Sequence, residues 1–339
     1  MKHLLPLTLA AVTAAAIAAG SAAAQTAIKF SNDWKWEGPS APLLLARDAG
    51  YFAAEGLDVS MDTGQGSREA IPRVASGTYQ IGAADINSLI KFRDQNPDLP
   101  VKAVFMIYNA PPFAIVGRKS LGVEGPKDLE GKTLGAPAPD GAYAQWAAFV
   151  KANDIDASAV TIENVGFPVR EPMLAQGKVD AITGFSFSSF INLKANGVPE
   201  DDISVILMAE NGLDLYGNVI IVNPTFAEEN PEAVRGFLKA LTRGFQQTVA
   251  DPETAVQNVL NANDVAREAV ELERLQMAIA DNIVTDEVRA NGFGAVNMAR
   301  LAKSITQIAD TYEFQNAPPA PEDIFDGSYL PAAEERMLP

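Results

Sequence analysis

The chain has no cysteine and only one histidine, His3, in 339 residues. A Ser-His-Asp triad, a Cys-His pair, a thiolate or imidazole zinc site and covalently attached haem all need these side chains, so none is expected beyond the N-terminus. Carboxylate chemistry remains, such as glycoside hydrolysis or a calcium loop, but the sequence has no Asp-x-Asp-x-Asp-Gly run. We therefore predict that the protein uses no metal and no cofactor.

Positive charge is scarce as well, since 26 Lys and Arg stand against 43 Asp and Glu and the net charge is −17. Nucleic acid and anionic membrane surfaces attract basic proteins, so neither is expected as a partner. The overall sign says little about a small ligand, because one local site can oppose it.

Long apolar runs are absent after residue 24, and no later stretch approaches the length needed to cross a bilayer. Residues 1–24 have a basic end at Lys2, an apolar run over residues 4–19 and small residues up to Ala24. This order is typical of a secretory signal peptide, which we expect to be cleaved near Ala24. With no cysteine to carry a lipid, we predict a soluble, exported, periplasmic protein that is a monomer.

Two segments about one hundred residues apart, 67–82 and 170–184, resemble each other. In each, an Arg-Glu pair opens a short predicted helix, Gly77 or Gly177 ends it, and an apolar strand follows. Because α/β sheets bind ligands outside the carboxyl ends of their strands, two such units facing each other would surround one cleft. The repeat predicts a two-lobed binding protein, although chance similarity between two ordinary α/β units explains the repeat alone equally well.

Strands and helices alternate as far as the apolar segment 219–222, and helical patterns dominate from there to residue 310. Pro111-Pro112 is interpreted as a turn between two strands, and 219–222 as a strand that returns the chain to lobe one. The predicted fold class is α/β. The predicted organisation is a signal peptide (1–24), the first part of lobe one (25–118), lobe two (119–215), a mostly helical second part of lobe one (216–310) and a C-terminal tail (311–339).

One segment resembles a family signature: Ala46-Arg-Asp-Ala-Gly50-Tyr51-Phe52-Ala-Ala-Glu55-Gly56-Leu57-Asp58-Val59. It is similar to the GYF..EGLDV motif of the solute-binding proteins of ABC importers for nitrate, taurine, alkanesulfonates and thiamine-pyrimidine precursors. Further matches follow in order at 75–85, 128–132, 177–181 and 230–232. The resemblance implies a type II periplasmic-binding-protein fold, in which two α/β lobes joined by two hinge crossings close on a small ligand. The implied partners are an ABC permease and its ATPase.

The same family includes cytosolic pyrimidine synthases of thiamine biosynthesis, which use histidine and cysteine. This chain has Asp33-Trp34 at the corresponding start, but Ser40 stands where the enzyme branch carries a histidine. Because residues 25–339 contain neither histidine nor cysteine, we predict a transport protein with no catalytic residue. A carboxylate-dependent hydrolase is disfavoured because no motif singles out a carboxylate pair.

The candidate ligand-binding residues follow the predicted strand ends. Ser67 is more often a helix cap than a ligand contact, although one group can do both, and Asp85 is explained equally well as a cap or as a ligand contact. Arg68 and Arg170 are interpreted as surface or inter-helix charges rather than anion clamps. The candidates are Trp34, Trp36, Gly66, Ser67, Asp85, Asn87 and Tyr108 in lobe one, Asp140, Gly141, Phe167, Phe185 and Ser186 in lobe two, and Tyr216 near the return crossing.

These loops are aromatic and acidic, with Lys35 as their only basic residue. A sulfonate or nitrate site is expected to be basic or rich in hydroxyl groups. We therefore predict a flat, neutral-to-cationic heteroaromatic ligand, such as a pyrimidine. Two alternatives stay open: a small anion in the same transport role, and a ligand sensor that signals to a membrane receptor.

Overall fold

The computed structural model describes residues 25–339, so the predicted signal peptide, residues 1–24, lies outside the described residues. Within this range, no helix combines the length and apolarity needed to cross a membrane. The strands are β1 (Thr26–Ser31), β2 (Leu57–Asp62), β3 (Ile81–Asp85), β4 (Lys102–Met106), β5 (Phe113–Arg118), β6 (Thr133–Gly135), β7 (Thr161–Glu163), β8 (Ala181–Phe185), β9 (Ile203–Leu207) and β10 (Asn218–Val222).

The strands form two five-stranded sheets, each the centre of one lobe. The first sheet has the order β2-β1-β3-β10-β4, and the second has the order β7-β6-β8-β5-β9. In both, the fourth position is taken by an antiparallel strand next to a crossing, β10 in the first lobe and β5 in the second. These inner strands are buried on both faces, which explains their continuous apolar sequences.

Helices cover both sheets. They are α1 (Ala41–Asp48), α2 (Tyr51–Ala54), α3 (Ser67–Ala75), α4 (Ile86–Gln95), α5 (Trp146–Ala152), α6 (Phe167–Ala175), α7 (Ser186–Ala195), α8 (Pro224–Glu229), α9 (Pro231–Ala250), α10 (Pro252–Ala262), α11 (Glu268–Ala278), α12 (Asp286–Asn291), α13 (Met298–Tyr312) and α14 (Pro321–Ile324).

The internal repeat corresponds to a repeat of structure. Helix α3, strand β3 and helix α4 recur as α6, β8 and α7, and each bound is shifted by one hundred residues. Gly77 and Gly177 both have positive φ, +75° and +68°, where each helix ends, a conformation that glycine adopts without steric cost. The predicted α/β fold with two lobes is thus confirmed.

The first crossing between the lobes lies earlier than predicted. Lobe one was predicted to extend to residue 118, but β5 pairs with β8 and β9 in the second sheet. Pro111-Pro112 is therefore part of the crossing and not of a turn between neighbouring strands. The apolar sequence of β5 predicted a buried strand correctly, but two equally apolar sheets were available and its composition does not distinguish them.

The helical part of the chain packs mainly on the first lobe. Phe237 of α9 stacks on Phe30 of β1 and on Phe52 of α2, with ring centroids 5.8 Å and 4.8 Å apart. Helix α13 packs against α4 of the first lobe and α5 of the second, so it spans the boundary between them. The tail returns to the first sheet, where Phe325 forms an isolated bridge with Ala103.

Candidate ligand-binding cleft

The loops that follow β1, β2, β4, β6, β7 and β8 meet around one cavity between the two sheets. They converge because α/β units of the same topology place these strand ends at one edge of each sheet. The cavity offers about 90 Å³ to the centres of water-sized groups.

Eight of the thirteen predicted residues line this cavity, and both lobes contribute. Together they supply four aromatic rings, a hydroxyl group, a carboxyl group and two glycines. They are Trp34, Gly66, Ser67, Tyr108, Asp140, Gly141, Phe167 and Phe185.

The other five do not line it. Trp36 packs against the first-lobe core, because the chain bends after β1 and the two tryptophans do not share a face. Asp85 is fully buried and caps α4 by accepting hydrogen bonds from the backbone N–H groups of Asn87 and Ser88. These are the hydrogen bonds of a helix cap, one of the two interpretations that the sequence left open for Asp85.

The remaining three belong to the crossings. Asn87 donates a hydrogen bond to the carbonyl oxygen of Tyr216 at 2.7 Å. The hydroxyl group of Tyr216 donates to Glu287 at 2.6 Å. The backbone N–H of Ser186 donates to the carbonyl oxygen of Pro112 at 2.7 Å. These contacts fix the strands that pass between the lobes, and none of the three residues lines the cavity.

Aromatic rings form two walls of the cavity. The Trp34 ring meets the edge of Phe167, from the opposite lobe, with centroids 4.4 Å apart. On the hinge side, Tyr108 lies 6.4 Å from Phe185 and 5.9 Å from Phe187. Such walls suit a flat ring, since aromatic groups pack favourably in edge-on and offset arrangements.

Asp33 is a cavity residue that the candidate set missed. Its Oδ2 accepts hydrogen bonds from Ser67 Oγ at 3.1 Å and Asn218 Nδ2 at 2.7 Å. Burial, with a smaller contribution from the nearby Asp85 carboxyl, raises the pKa of Asp33 to about 6 against the opposing effect of these hydrogen bonds. Within residues 25–339 no Lys or Arg lies within 4.0 Å of this carboxyl. The position of Asp33 directly after β1 is the sequence signal from which it could have been predicted as a cavity residue.

Glu37 and Ser188 also line the cavity without having been predicted. Burial alone would raise the pKa of Glu37, but Arg274 and Lys35 outweigh it, so this pKa lies below its ordinary value. Arg274 lies 3.2 Å and Lys35 3.0 Å from the carboxylate. Glu37 is therefore ionised, and its negative charge is already balanced by protein cations. No local sequence pattern indicated this network, because Arg274 comes from a distant helix.

Arg170 lines the cavity too, although the sequence analysis placed it at the surface or between helices. It is only 3% exposed and pairs with Glu171 at 2.5 Å and with Asp140 at 3.8 Å. Burial raises the pKa of Asp140, while Arg170 and a hydrogen bond from Thr183 oppose that rise. The guanidinium is thus held by protein carboxylates and does not form a free anion clamp.

The lobes are in contact around the cavity, so the cleft is closed. Side-chain hydrogen bonds join one lobe to the other on several sides of the cavity, in addition to the strands that cross between the lobes. They include Arg68 Nη1 to Ala138 O at 2.9 Å, Gln145 Nε2 to Asp85 Oδ2 at 3.0 Å, Ser188 Oγ to Glu37 Oε2 at 2.7 Å and Arg274 Nη2 to Asn192 Oδ1 at 2.8 Å.

Two α/β lobes that are joined by crossing strands and closed over a lined cavity define the periplasmic-binding-protein fold. The chain superimposes on the periplasmic aliphatic sulphonate-binding protein SsuA of Escherichia coli with a TM-score of 0.70, at 13% identity, over 90% of this chain and 99% of that one. At this identity the likeness concerns the fold. The chain belongs to the NMT1/THI5-like family, whose sequence profile matches residues 38–255.

Relatives within reach of sequence comparison include binding proteins and enzymes. The chain is 29% identical to the riboflavin-binding protein RibY of Chloroflexus aurantiacus over 218 residues, which cover 63% of this chain and 60% of that protein. It is 26% identical to the formylaminopyrimidine-binding protein of Halalkalibacterium halodurans over 307 residues, 88% and 89% of the two chains. It is 25% identical to the 4-amino-5-hydroxymethyl-2-methylpyrimidine phosphate synthase of Aspergillus parasiticus over 247 residues, 70% and 71%.

Proposed function

We propose that this protein is the exported solute-binding component of an ABC importer and that it captures a small, flat heteroaromatic compound. In this role it works in the periplasm as a monomer, closes around its ligand and delivers it to the permease and its ATPase. The preferred ligand has one ring and an edge that donates hydrogen bonds or carries positive charge, as an aminopyrimidine does.

The observation that carries this proposal is the state of Asp33. It is a buried carboxyl in an aromatic cavity, and no basic side chain within the described residues pairs with it. The other cavity charges, Glu37 and Arg170, are already balanced by protein partners. An unpaired buried carboxyl is costly unless a ligand donates to it, and it repels an anion. The site therefore favours a donor or a cation over a sulfonate or nitrate.

A second group supports a ligand with hydrogen-bond donors. Asn218 lines the cavity next to Asp33, and its side-chain oxygen is buried without a hydrogen-bond partner among residues 25–339. Buried polar atoms are normally paired, so an orphaned acceptor beside a carboxyl suits the N–H groups of an amino-substituted ring.

The relatives named as binding proteins support a nitrogen heterocycle as ligand. The formylaminopyrimidine-binding protein is matched over 88% of this chain and 89% of its own length, whereas the riboflavin-binding protein is matched over 63% and 60%. Because its match is the longer of the two, the formylaminopyrimidine-binding protein offers the better analogy for the cleft.

We infer that binding is not followed by a reaction, although some relatives are named as synthases. Residues 25–339 contain no histidine or cysteine. Two of the cavity carboxyls, Glu37 and Asp140, are paired with the guanidinium groups of Arg274 and Arg170. Nucleophilic or acid–base catalysis by histidine or cysteine needs side chains that these residues do not supply, and solute binding requires none.

The proposal is tested by titrating the purified protein with 4-amino-5-hydroxymethyl-2-methylpyrimidine, riboflavin, ethanesulfonate and nitrate. We expect saturable binding of the pyrimidine, with stabilisation of about 2.7 kcal/mol at about 100 times its dissociation constant, and no product by mass spectrometry. Saturable binding of ethanesulfonate or nitrate without binding of the pyrimidine would overturn the ligand assignment. Conversion of the pyrimidine would overturn the assignment as a binding protein.

A further inference from the structure

A second cavity of about 450 Å³ lies outside the cleft, on the flank where the two lobes meet. The first lobe supplies one wall through α3 and α4, and the second lobe supplies the opposite wall through residues 143–147. Tyr312, at the end of α13, also lines it. We call this cavity the flank groove. It shares no lining residue with the cleft, so it is a separate site.

The flank groove reverses the charge of the protein locally. Arg68 and Lys91 line it, and no aspartate or glutamate does. Among residues 25–339, neither cation has a carboxylate within 4.0 Å, whereas Arg73, on the same helix as Arg68, pairs with Glu69. On a chain with a net charge of −17, two unneutralised cations in one concave site are a local attraction for an anion.

The two cations are close enough to disfavour each other. Burial lowers the pKa of Lys91, and the charge of Arg68 lowers it further. The Lys91 ammonium group lies 3.5 Å from the centroid of the Tyr312 ring. This cation–π contact stabilises the positive charge of Lys91 in part and holds its side chain in place. An anion between these side chains would form charge-assisted hydrogen bonds with both of them.

The remaining surface of the groove is aromatic. Tyr143 and Trp146 come from the second lobe, and Phe92 comes from the first. Trp146 is also within stacking distance of Phe149, with centroids 6.2 Å apart, which fixes the orientation of its indole. These rings pack into the core on one side and line the groove on the other. A bare ion such as chloride or phosphate would use the cations alone, whereas a planar organic anion would use both the cations and the groove side of the rings.

We propose that the flank groove is a second ligand site, which binds a small planar anion composed of an aromatic ring and a carboxylate or phosphate group. The ring lies against Tyr143 and Trp146, and the anionic group pairs with Lys91 and Arg68. Because the groove takes its walls from both lobes, its occupant contacts both at once.

The three tryptophans provide separate reporters, since Trp34 lines the cleft, Trp36 packs in the core and Trp146 lines the flank groove. The test is a titration of the 15N-labelled full-length mature protein with benzoate, with phenyl phosphate and with the uncharged analogue benzamide. We expect benzoate or phenyl phosphate to shift the Trp146 indole resonance saturably, with a dissociation constant of about 1 mM or lower, and benzamide to bind at least about tenfold more weakly. Equal shifts with benzoate and benzamide, or shifts confined to Trp34, would overturn the proposal.

Charge variants provide the second arm of this test. Lys91→Gln should weaken binding of the shifting anion about tenfold, as expected when one charge-assisted contact is lost. Lys178→Gln, at an exposed position away from the groove, is the matched control and should bind like the parent. Unchanged binding by Lys91→Gln, with an unchanged melting temperature, would refute the assignment. Arg68 is less suitable because it also donates to Ala138 across the cleft.

Discussion

Ser188 Oγ, in the second lobe, donates a hydrogen bond to Glu37 Oε2, in the first, at 2.7 Å. The accepting carboxylate also lies 3.2 Å from Arg274, so its charge is balanced within its own lobe. The bond therefore joins a neutral hydroxyl to a carboxylate that stays ionised and in place whether or not the lobes are together. It stabilises the closed arrangement specifically, because opening the cleft breaks it and leaves the rest of each lobe intact.

Removing this hydroxyl should impair ligand retention. We expect Ser188→Ala to weaken binding of the pyrimidine about tenfold, mostly through faster dissociation, because a hydrogen bond to a charged acceptor contributes about 1.5–3 kcal/mol. Stopped-flow fluorescence measures the dissociation rate. The control is Ser189→Ala, whose hydroxyl donates to Glu171 within the second lobe. If both variants release the ligand at the same rate, the bond to Glu37 has no role in closure.

The two tryptophans after β1 should behave differently. Trp34 lines the cavity and contacts Phe167 across it, whereas Trp36 packs on the first-lobe core. Trp34→Ala should reduce affinity for the pyrimidine by roughly tenfold or more and change stability little. Trp36→Ala should lower the melting temperature and leave affinity within about twofold. The lost core contacts should reduce the free energy of unfolding by about 2–4 kcal/mol. Calorimetric titration and thermal denaturation separate the two effects. The reverse pattern would show that the cleft was assigned to the wrong indole.

Asp33 should make stability depend on pH. Its folded pKa of about 6 exceeds the ordinary value of 3.8, so its contribution is fully present below the ordinary value and is lost as pH rises through about 6. Asp33→Asn removes this dependence. The unfolding free energy of the parent, relative to that variant, should therefore fall by about 1 kcal/mol between about pH 5 and about pH 7. Urea denaturation at both values measures the gap, and Asp201→Asn, at an exposed site, is the control. A constant gap would contradict the raised pKa.

Gly66 should be required for closure. A Cβ atom at this position would lie 2.3 Å from the carbonyl oxygen of Pro139 in the opposite lobe, and φ is +108°. Gly66→Ala should therefore hold the lobes apart and weaken pyrimidine binding more than about tenfold, with a further cost of about 1–3 kcal/mol for the backbone conformation. Small-angle X-ray scattering with the pyrimidine present should give a larger radius of gyration than for the parent.

Gly141→Ala is the control for this experiment, because its Cβ would meet Asp85 and Ser67 at ordinary distances of 3.4 Å and 3.5 Å. It should close like the parent. A compact Gly66→Ala protein in the presence of the pyrimidine would show that the lobes tolerate the extra atom.

Much of the architecture could be predicted from the sequence because local patterns carried it. The glycines at 77 and 177 indicated two equivalent units, which the structure places one hundred residues apart in two lobes. The Arg-Glu pairs, at 68–69 and 170–171, are 102 residues apart and therefore do not occupy equivalent positions in the two helices. Strand ends were also predictable, and eight of the cavity residues were predicted from them. Trp34 and Phe167, for example, face each other as two strand-end residues from different sheets.

Other features depend on contacts between distant segments, and no local pattern reports those. Arg274 belongs to α11, yet it balances Glu37, which lies before α1. Trp36 does not line the cleft because the loop after β1 bends, whereas in an extended loop it would lie on the same side as Trp34. Asp85 had two local interpretations of equal weight, and Gln145 from the opposite lobe adds a further bond to the structural one.

The return of β10 to the first sheet sets the order in which the two sheets can be completed. All five strands of the second sheet come from one uninterrupted segment, Phe113 to Leu207, whereas the first sheet needs β10, at Asn218–Val222. During synthesis, which begins at the N-terminus, the chain can therefore assemble the sheet of its second lobe first. At that point the sheet of the first lobe still lacks a central strand. The second lobe is thus an inserted domain, and the sheet of the first lobe is complete only when β10 has been added after it.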